Sequence, residues 1–256
     1  HAPGAPVFML LGRFFSLFAP DPSQAAYMVN LLSATASAFT IFFLFHTIYW
    51  FGRKLIERTN YDFTENYLQR ILTMAAFLGA ISFAFTDTFW FSAVEGEVYA
   101  TSSLFTAVVF WGIIQWEQDR SKYADRWLLL IFFLLGLSVG IHLLNLLALP
   151  AVALVYYCKK NEASTKGIII TLAISVLLMV IIIFGFIPGV VAFTAHTDRL
   201  FVNTFGLPVY TGALVFLVLL IAGVIYGIHF YRKKGKITLH FIALAFALWL
   251  AGYSSF

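Results

Sequence analysis

Charge is what this sequence has least of. Asp, Glu, Lys and Arg make up 11% of its 256 residues, while 61% are hydrophobic and the mean hydropathy is +0.90. A soluble domain carries about 25% charged residues, because it must cover its surface with groups that bind water. That shortage excludes a soluble fold and points to lipid as the solvent. Cysteine is nearly absent too: Cys158 alone cannot form an internal disulfide or build a metal site. A P-loop, a dinucleotide glycine fingerprint, an HExxH pair and a GxSxG with partners are all missing, which argues against nucleotide-driven transport and soluble-style hydrolysis. No basic segment and cleavage site open the chain, so no signal peptide is expected. The start at His1 and the stop at Phe256 inside an apolar run read as cuts, which makes the chain a fragment of a longer polypeptide.

What is present is a series of apolar runs. A spanning helix needs about 20 apolar residues. Such runs cover 25–51, 71–85, 100–116, 167–187, 209–231 and 240–256. The loops between them are 52–70, 86–99, 117–126, 158–166, 188–208 and 232–236. The expected fold is all-α, a polytopic transmembrane bundle of about eight membrane segments. Residues 1–256 read as a single transmembrane domain, with 1–24 an external segment that carries an interfacial helix over 7–18.

The Lys and Arg residues set the expected orientation. Arg53, Lys54, Arg58, Arg70, Arg120, Lys122, Arg126, Lys159, Lys160, Lys166, Arg232, Lys233, Lys234 and Lys236 lie in four loops. Only Arg13 and Arg199 lie elsewhere. The positive-inside rule puts those four loops on the cytoplasmic side, which accounts for the pI near 9.1 without any nucleic acid. His46, His229 and His240 fall at the same helix ends.

The stretch 127–157 lies between two of the basic loops, so the chain must enter the membrane and return. As one helix its 31 residues would reach about 46 Å and end on the wrong side; as a hairpin each leg is about 22 Å, short of a full crossing. The apex Gly140-Ile141-His142-Leu143-Leu144-Asn145 then sits below the outer surface. Broken backbone at that depth needs protein or a water-filled cavity beside it, so the hairpin predicts an outward cavity. Two tilted or loosely bounded spans are the alternative.

The candidate chemistry gathers on the external side. Glu95 and Glu97 lead into the span at 100–116, where a helix dipole alone would favour acids. Ionisable groups at a membrane boundary face cavities more often than lipid, which singles out Glu97. His142 and Asn145 at the apex are either an inter-helix hydrogen-bonding pair or substrate contacts. Arg13 is either a snorkelling residue or an anion ligand. His1 opens a turn-rich segment, and Asp198-Arg199 reads as a solvated loop pair. Neither motif nor composition identifies a cofactor or decides for or against a divalent metal.

Several blocks together resemble a known family. They are His1-Ala2-Pro3-Gly4-Ala5-Pro6, Leu11-Gly12-Arg13-Phe14-Phe15-Ser16-Leu17-Phe18, Met28-Val29-Asn30-Leu31-Leu32-Ser33-Ala34, Trp90 to Tyr99, Gly140 to Asn145 and Gly252 to Phe256. The chain is similar to a bacterial membrane family, formerly of unknown function, related to protein O-mannosyltransferases and grouped with the GT-C glycosyltransferases. The resemblance implies a multi-pass enzyme of the bacterial inner membrane with an extracytoplasmic active side. It would move a sugar, mannose, from a polyprenyl-phosphate carrier to a protein acceptor. The family's expected acidic motif lies just upstream of the HxPGxP block, which places the catalytic base outside this chain and implies that the fragment is inactive alone. Ala2 stands where a proline is common. Glu97 and Glu95 then become candidates for the acidic partner, with His1, Arg13, His142 and Asn145 as candidate sugar or phosphate contacts. A non-catalytic transporter or lipid-binding subunit is the alternative; it should carry inverted repeats or paired broken helices, and neither is visible.

Overall fold

The computed structural model describes residues 4–59 and 64–253; His1 lies outside them. The described residues are helical throughout, without a strand: α1 (Pro6–Ser16), α2 (Ala25–Glu57), α3 (Glu65–Ala84), α4 (Asp87–Val94), α5 (Val98–Gln118), α6 (Arg126–Val139), α7 (Ala148–Lys160), α8 (Thr165–Val180), α9 (Ile187–Phe205), α10 (Thr211–Lys233) and α11 (Ile237–Tyr253). Among the described residues, six helical stretches are long and apolar enough to cross a membrane: 22–57, 65–84, 98–118, 143–160, 165–205 and 211–233. The shorter apolar helices are α1, α6 and α11. This is an all-α integral membrane protein, as its hydropathy requires. Contacts divide it into two units, 1–148 with 249–256, and 149–248.

In the first unit α2 is the hub, packed against α1, α3, α4 and α5. Its buried positions are Leu32, Ser33, Ala36, Ser37 and Thr40, a helical stripe of mostly small side chains. Small residues let apolar helices approach where lipid offers no hydrophobic drive to associate. The same device sets the α2–α3 seam: a Cβ on Gly52 would lie 2.7 Å from Leu72, and one on Gly79 3.0 Å from Ile48. Between α5 and α6, Gly112 faces Ile131 at 3.2 Å from an added Cβ. The largest buried side chains, Trp116, Ile113, Ile131 and Leu135, belong to these two helices. The last turns of α11 close on α6, where a Cβ on Gly136 would meet the Trp249 carbonyl and one on Gly252 the Phe133 carbonyl.

The helix that starts at Arg126 stops at Val139, and the chain turns through Gly140 to His142 into a 3-10 turn at Leu143–Leu147 before α7. The break falls where the apex was expected. At 14 residues α6 is about 21 Å long, short of a full crossing.

The second unit departs from the expected loops. Residues 188–208 are not a loop: α8 runs through a π-helical segment, Ile181–Phe186, directly into α9. Pro188 lies just past the π segment, whose wider turn accommodates the proline ring and its missing N–H without ending the helix. The whole stretch, 165–205, is 41 residues, about 61 Å, twice the hydrocarbon thickness. Asp198 is no free loop acid either: its carboxylate accepts from the backbone N–H of Tyr210 at 3.1 Å and Gly212 at 3.0 Å, capping α10. Gly206 and Tyr210 take left-handed backbone at φ 64° and 73° to make that turn. In the first unit the expected loop 86–99 contains α4, and α2 runs on to Glu57.

Candidate functional site

The segment 4–24, the α4–α5 connection and the 140–147 break meet at one end of the first unit. Gly12 of α1 and Gly96 of the acidic loop both pack on Val29, which an added Cβ would approach to 3.8 and 3.2 Å. A Cβ on Gly96 would also lie 2.9 Å from the Asn30 side-chain oxygen, so glycine between the two glutamates is what lets the loop lie against α2. The Val7 N–H donates to the Gly140 carbonyl at 2.9 Å, tying the start of α1 to the break. The Tyr99 ring lies 5.6 Å from the His142 ring, centroid to centroid. These contacts bring α1, the Glu95–Glu97 loop and the His142–Asn145 segment into one neighbourhood.

Each candidate has a distinct state. Glu97 is the N-cap residue of α5 in extended backbone, yet its side chain accepts no cap hydrogen bond. The carboxylate is therefore not consumed in capping its own helix. Glu95 terminates α4, and both acids are exposed. Arg13 is exposed in the last turn of α1, with Nη1 3.5 Å from the Ser16 hydroxyl. No ion pair among the described residues uses Arg13, Glu95 or Glu97; Arg53, Lys54 and Arg126 pair with acids at the opposite end of the unit.

His142 caps the 3-10 turn, its Nδ1 accepting from the Leu144 N–H at 3.2 Å. An Nδ1 that accepts leaves the ring proton on Nε2, so a half-buried donor is held in fixed orientation. Asn145 is 3% exposed, and its side-chain oxygen accepts from Ser102 and Thr106 of α5 at 2.5 and 3.2 Å. Its amide nitrogen is buried without a partner, as is the Thr101 hydroxyl. A buried donor without a partner costs about 1–3 kcal/mol, and such groups concentrate where a ligand or water completes them. Asn145 thus makes inter-helix hydrogen bonds with α5, while His142 bonds the Leu144 N–H, and Asn145 keeps a donor to spare.

Sequence reasoning missed Ser102 and Thr106. Their signal was two hydroxyls at i, i+4 in an apolar helix, one face of α5, but it takes the fold to put Asn145 against them. His1 lies outside the described residues. Among those residues no group of three His, Cys, Asp or Glu is placed to hold a metal ion.

Residues 1–165, which include every candidate named above, match the family model of the protein O-mannosyl-transferase TMEM260 N-terminal domain. The chain belongs to this family. The membership supports a glycosyltransferase-like function. No curated protein and no solved structure matches the chain.

Proposed function

We propose that the chain supplies the N-terminal part of a GT-C-type membrane glycosyltransferase. In this reading it moves a sugar, mannose, from a polyprenyl-phosphate carrier to a hydroxyl of an extracytoplasmic protein acceptor at a bacterial inner membrane. The observation that supports the reading is that Glu97, His142 and Arg13 stand on three segments that meet at one end of the first unit, in a chain of the O-mannosyl-transferase family.

The reaction needs three things from the protein. The acceptor hydroxyl must lose a proton as its oxygen bonds to the anomeric carbon, which calls for a carboxylate within reach. The glycosidic centre gathers oxocarbenium-like positive charge, which a carboxylate stabilises. The departing polyprenyl phosphate gathers negative charge, which a guanidinium and an imidazole N–H stabilise. Glu97 is assigned to the sugar or acceptor, with Glu95 beside it. Arg13 and His142 Nε2–H are assigned to the phosphate, and the Asn145 amide to a sugar hydroxyl. A carrier in the bilayer explains why these groups stand at a membrane boundary rather than in a soluble pocket.

The test is Glu97→Gln in the full-length protein, assayed for transfer from a polyprenyl-linked sugar. The proposal expects transfer to fall by about a hundredfold or more while folded protein is retained. Wild-type rates would remove Glu97 from the site.

A further inference from the structure

α5 has Glu97 as its N-cap and turns one face toward the 140–147 break. Tyr99, Ser102 and Thr106 stand at i, i+3 and i+7, spacings that share one side of a helix. Each of the three meets the break. Tyr99 lies beside the His142 ring, and Ser102 and Thr106 donate to the Asn145 side-chain oxygen at 2.5 and 3.2 Å. The two hydroxyls are used unusually. A Ser or Thr hydroxyl inside a helix commonly bonds back to a carbonyl one turn earlier, as Thr35, Thr40 and Thr47 of α2 do at 2.7, 2.8 and 2.9 Å. A hydroxyl has one proton to donate, and Ser102 and Thr106 direct theirs across to the break.

What they hold is the turn that carries His142. The Asn145 N–H donates to the His142 carbonyl at 3.2 Å, and the His142 N–H donates to the Ser138 carbonyl at 2.8 Å. Within the same turn the Leu144 N–H fixes His142 Nδ1. A 3-10 turn has poorer hydrogen-bond geometry than an α-helix, and five residues is long for one, so side-chain anchors matter to it. Asn145 is the residue through which α5 supplies that anchor.

We propose that Ser102 and Thr106 are positioning residues: through Asn145 they hold His142 in a fixed relation to α5, the helix that begins at Glu97. The inference rests on the transfer reading for its purpose, since that reading assigns His142 to the departing phosphate and Glu97 to the sugar or acceptor. Neither hydroxyl touches substrate in this scheme. Their effect on transfer passes through the placement of the imidazole.

The experiment pairs amide hydrogen exchange with transfer kinetics on the full-length protein, comparing wild type with Ser102→Ala, Thr106→Val and Thr106→Ser. Ser102→Ala and Thr106→Val each remove one net hydrogen bond and should speed exchange over residues 142–147 by about two- to tenfold, with exchange in α2 unchanged. Their kcat should fall by a similar factor while KM for the polyprenyl-linked sugar holds, because the imidazole acts on charge that develops in the transition state. Thr106→Ser keeps the hydroxyl and should match wild type in both measurements. Unchanged exchange over 142–147 in the first two variants would overturn the proposal, whatever the kinetics. So would faster exchange spread equally over α2, which marks general loosening, or faster exchange confined to the break with kcat unaltered. A wild-type protein that transfers no sugar would instead overturn the transfer reading, and exchange alone would then decide whether the two hydroxyls hold His142.

Discussion

The two ends of the first unit use charge in opposite ways. At the basic end Arg53, Lys54 and Arg126 each lie within 4 Å of a carboxylate, and Glu57, Glu65, Glu117 and Asp119 are the partners. At the other end Arg13, Glu95 and Glu97 make no ion pair among the described residues, although that end is poor in charge and neutralisation would be easy to arrange. Paired charges hold helix ends together. Unpaired ones, on segments that adjoin an oriented histidine and an asparagine with a spare donor, are what the proposed reaction draws on. The difference separates charges that the fold itself uses, at the α2, α3, α5 and α6 ends, from charges that it leaves free.

Breaking the contrast begins with activity. Glu97→Gln should reduce transfer by about a hundredfold or more and leave the melting temperature unchanged, whereas Glu117→Gln should leave transfer unchanged. Parallel transfer assays and melting curves on the two variants read both halves at once. Next in size is Asn145→Ala, which strips Ser102 and Thr106 of their acceptor and should destabilise the fold by about 1–2 kcal/mol in a denaturant titration. A neutral result would mean that Asn145 serves only the ligand. Glu117→Gln comes third: the Lys54–Glu117 pair is partly exposed, so its loss should cost less than about 1 kcal/mol in the same titration.

The smallest effect is on pH dependence, and both ends share it. The Ser23 side chain and backbone N–H hold Asp21 below its ordinary 3.8, and Ser121 does the same for Asp119, by its backbone N–H first. A carboxyl depressed in the fold contributes stability that is full above its unfolded value and is lost as pH falls through its folded value. Stability should therefore decline below about pH 4, and Asp21→Asn and Asp119→Asn should each flatten that decline slightly in pH-dependent melts.

Much of the fold was legible because hydropathy in lipid is nearly all-or-none. The runs at 25–51, 100–116 and 209–231 became α2, α5 and α10, and the break at Gly140 fell where the hairpin length required it. The failures have a common cause. Pro188-Gly189 and the polar His196–Arg199 run read as a loop, but proline in a first helical turn after a π segment breaks nothing. Asp198 read as solvated because its partners, the amides of residues 210 and 212, are set by the turn that follows rather than by local pattern. At the candidate site the residue types were visible and their pairing was not. That Glu97 leaves its own helix uncapped, or that Asn145 meets two hydroxyls of α5, depends on contacts between elements distant in sequence.

The acidic end and the basic loops are expected to open on opposite sides of the membrane, and the chain's own single cysteine can test this. Cys158 is exposed and adjoins Lys159 and Lys160. A membrane-impermeant maleimide should leave it unlabelled in intact spheroplasts and label it after permeabilisation. Glu95→Cys in a Cys158→Ser background should label in intact spheroplasts. Labelling of both positions before permeabilisation would place the acidic loop and the basic loops on one side and contradict the account.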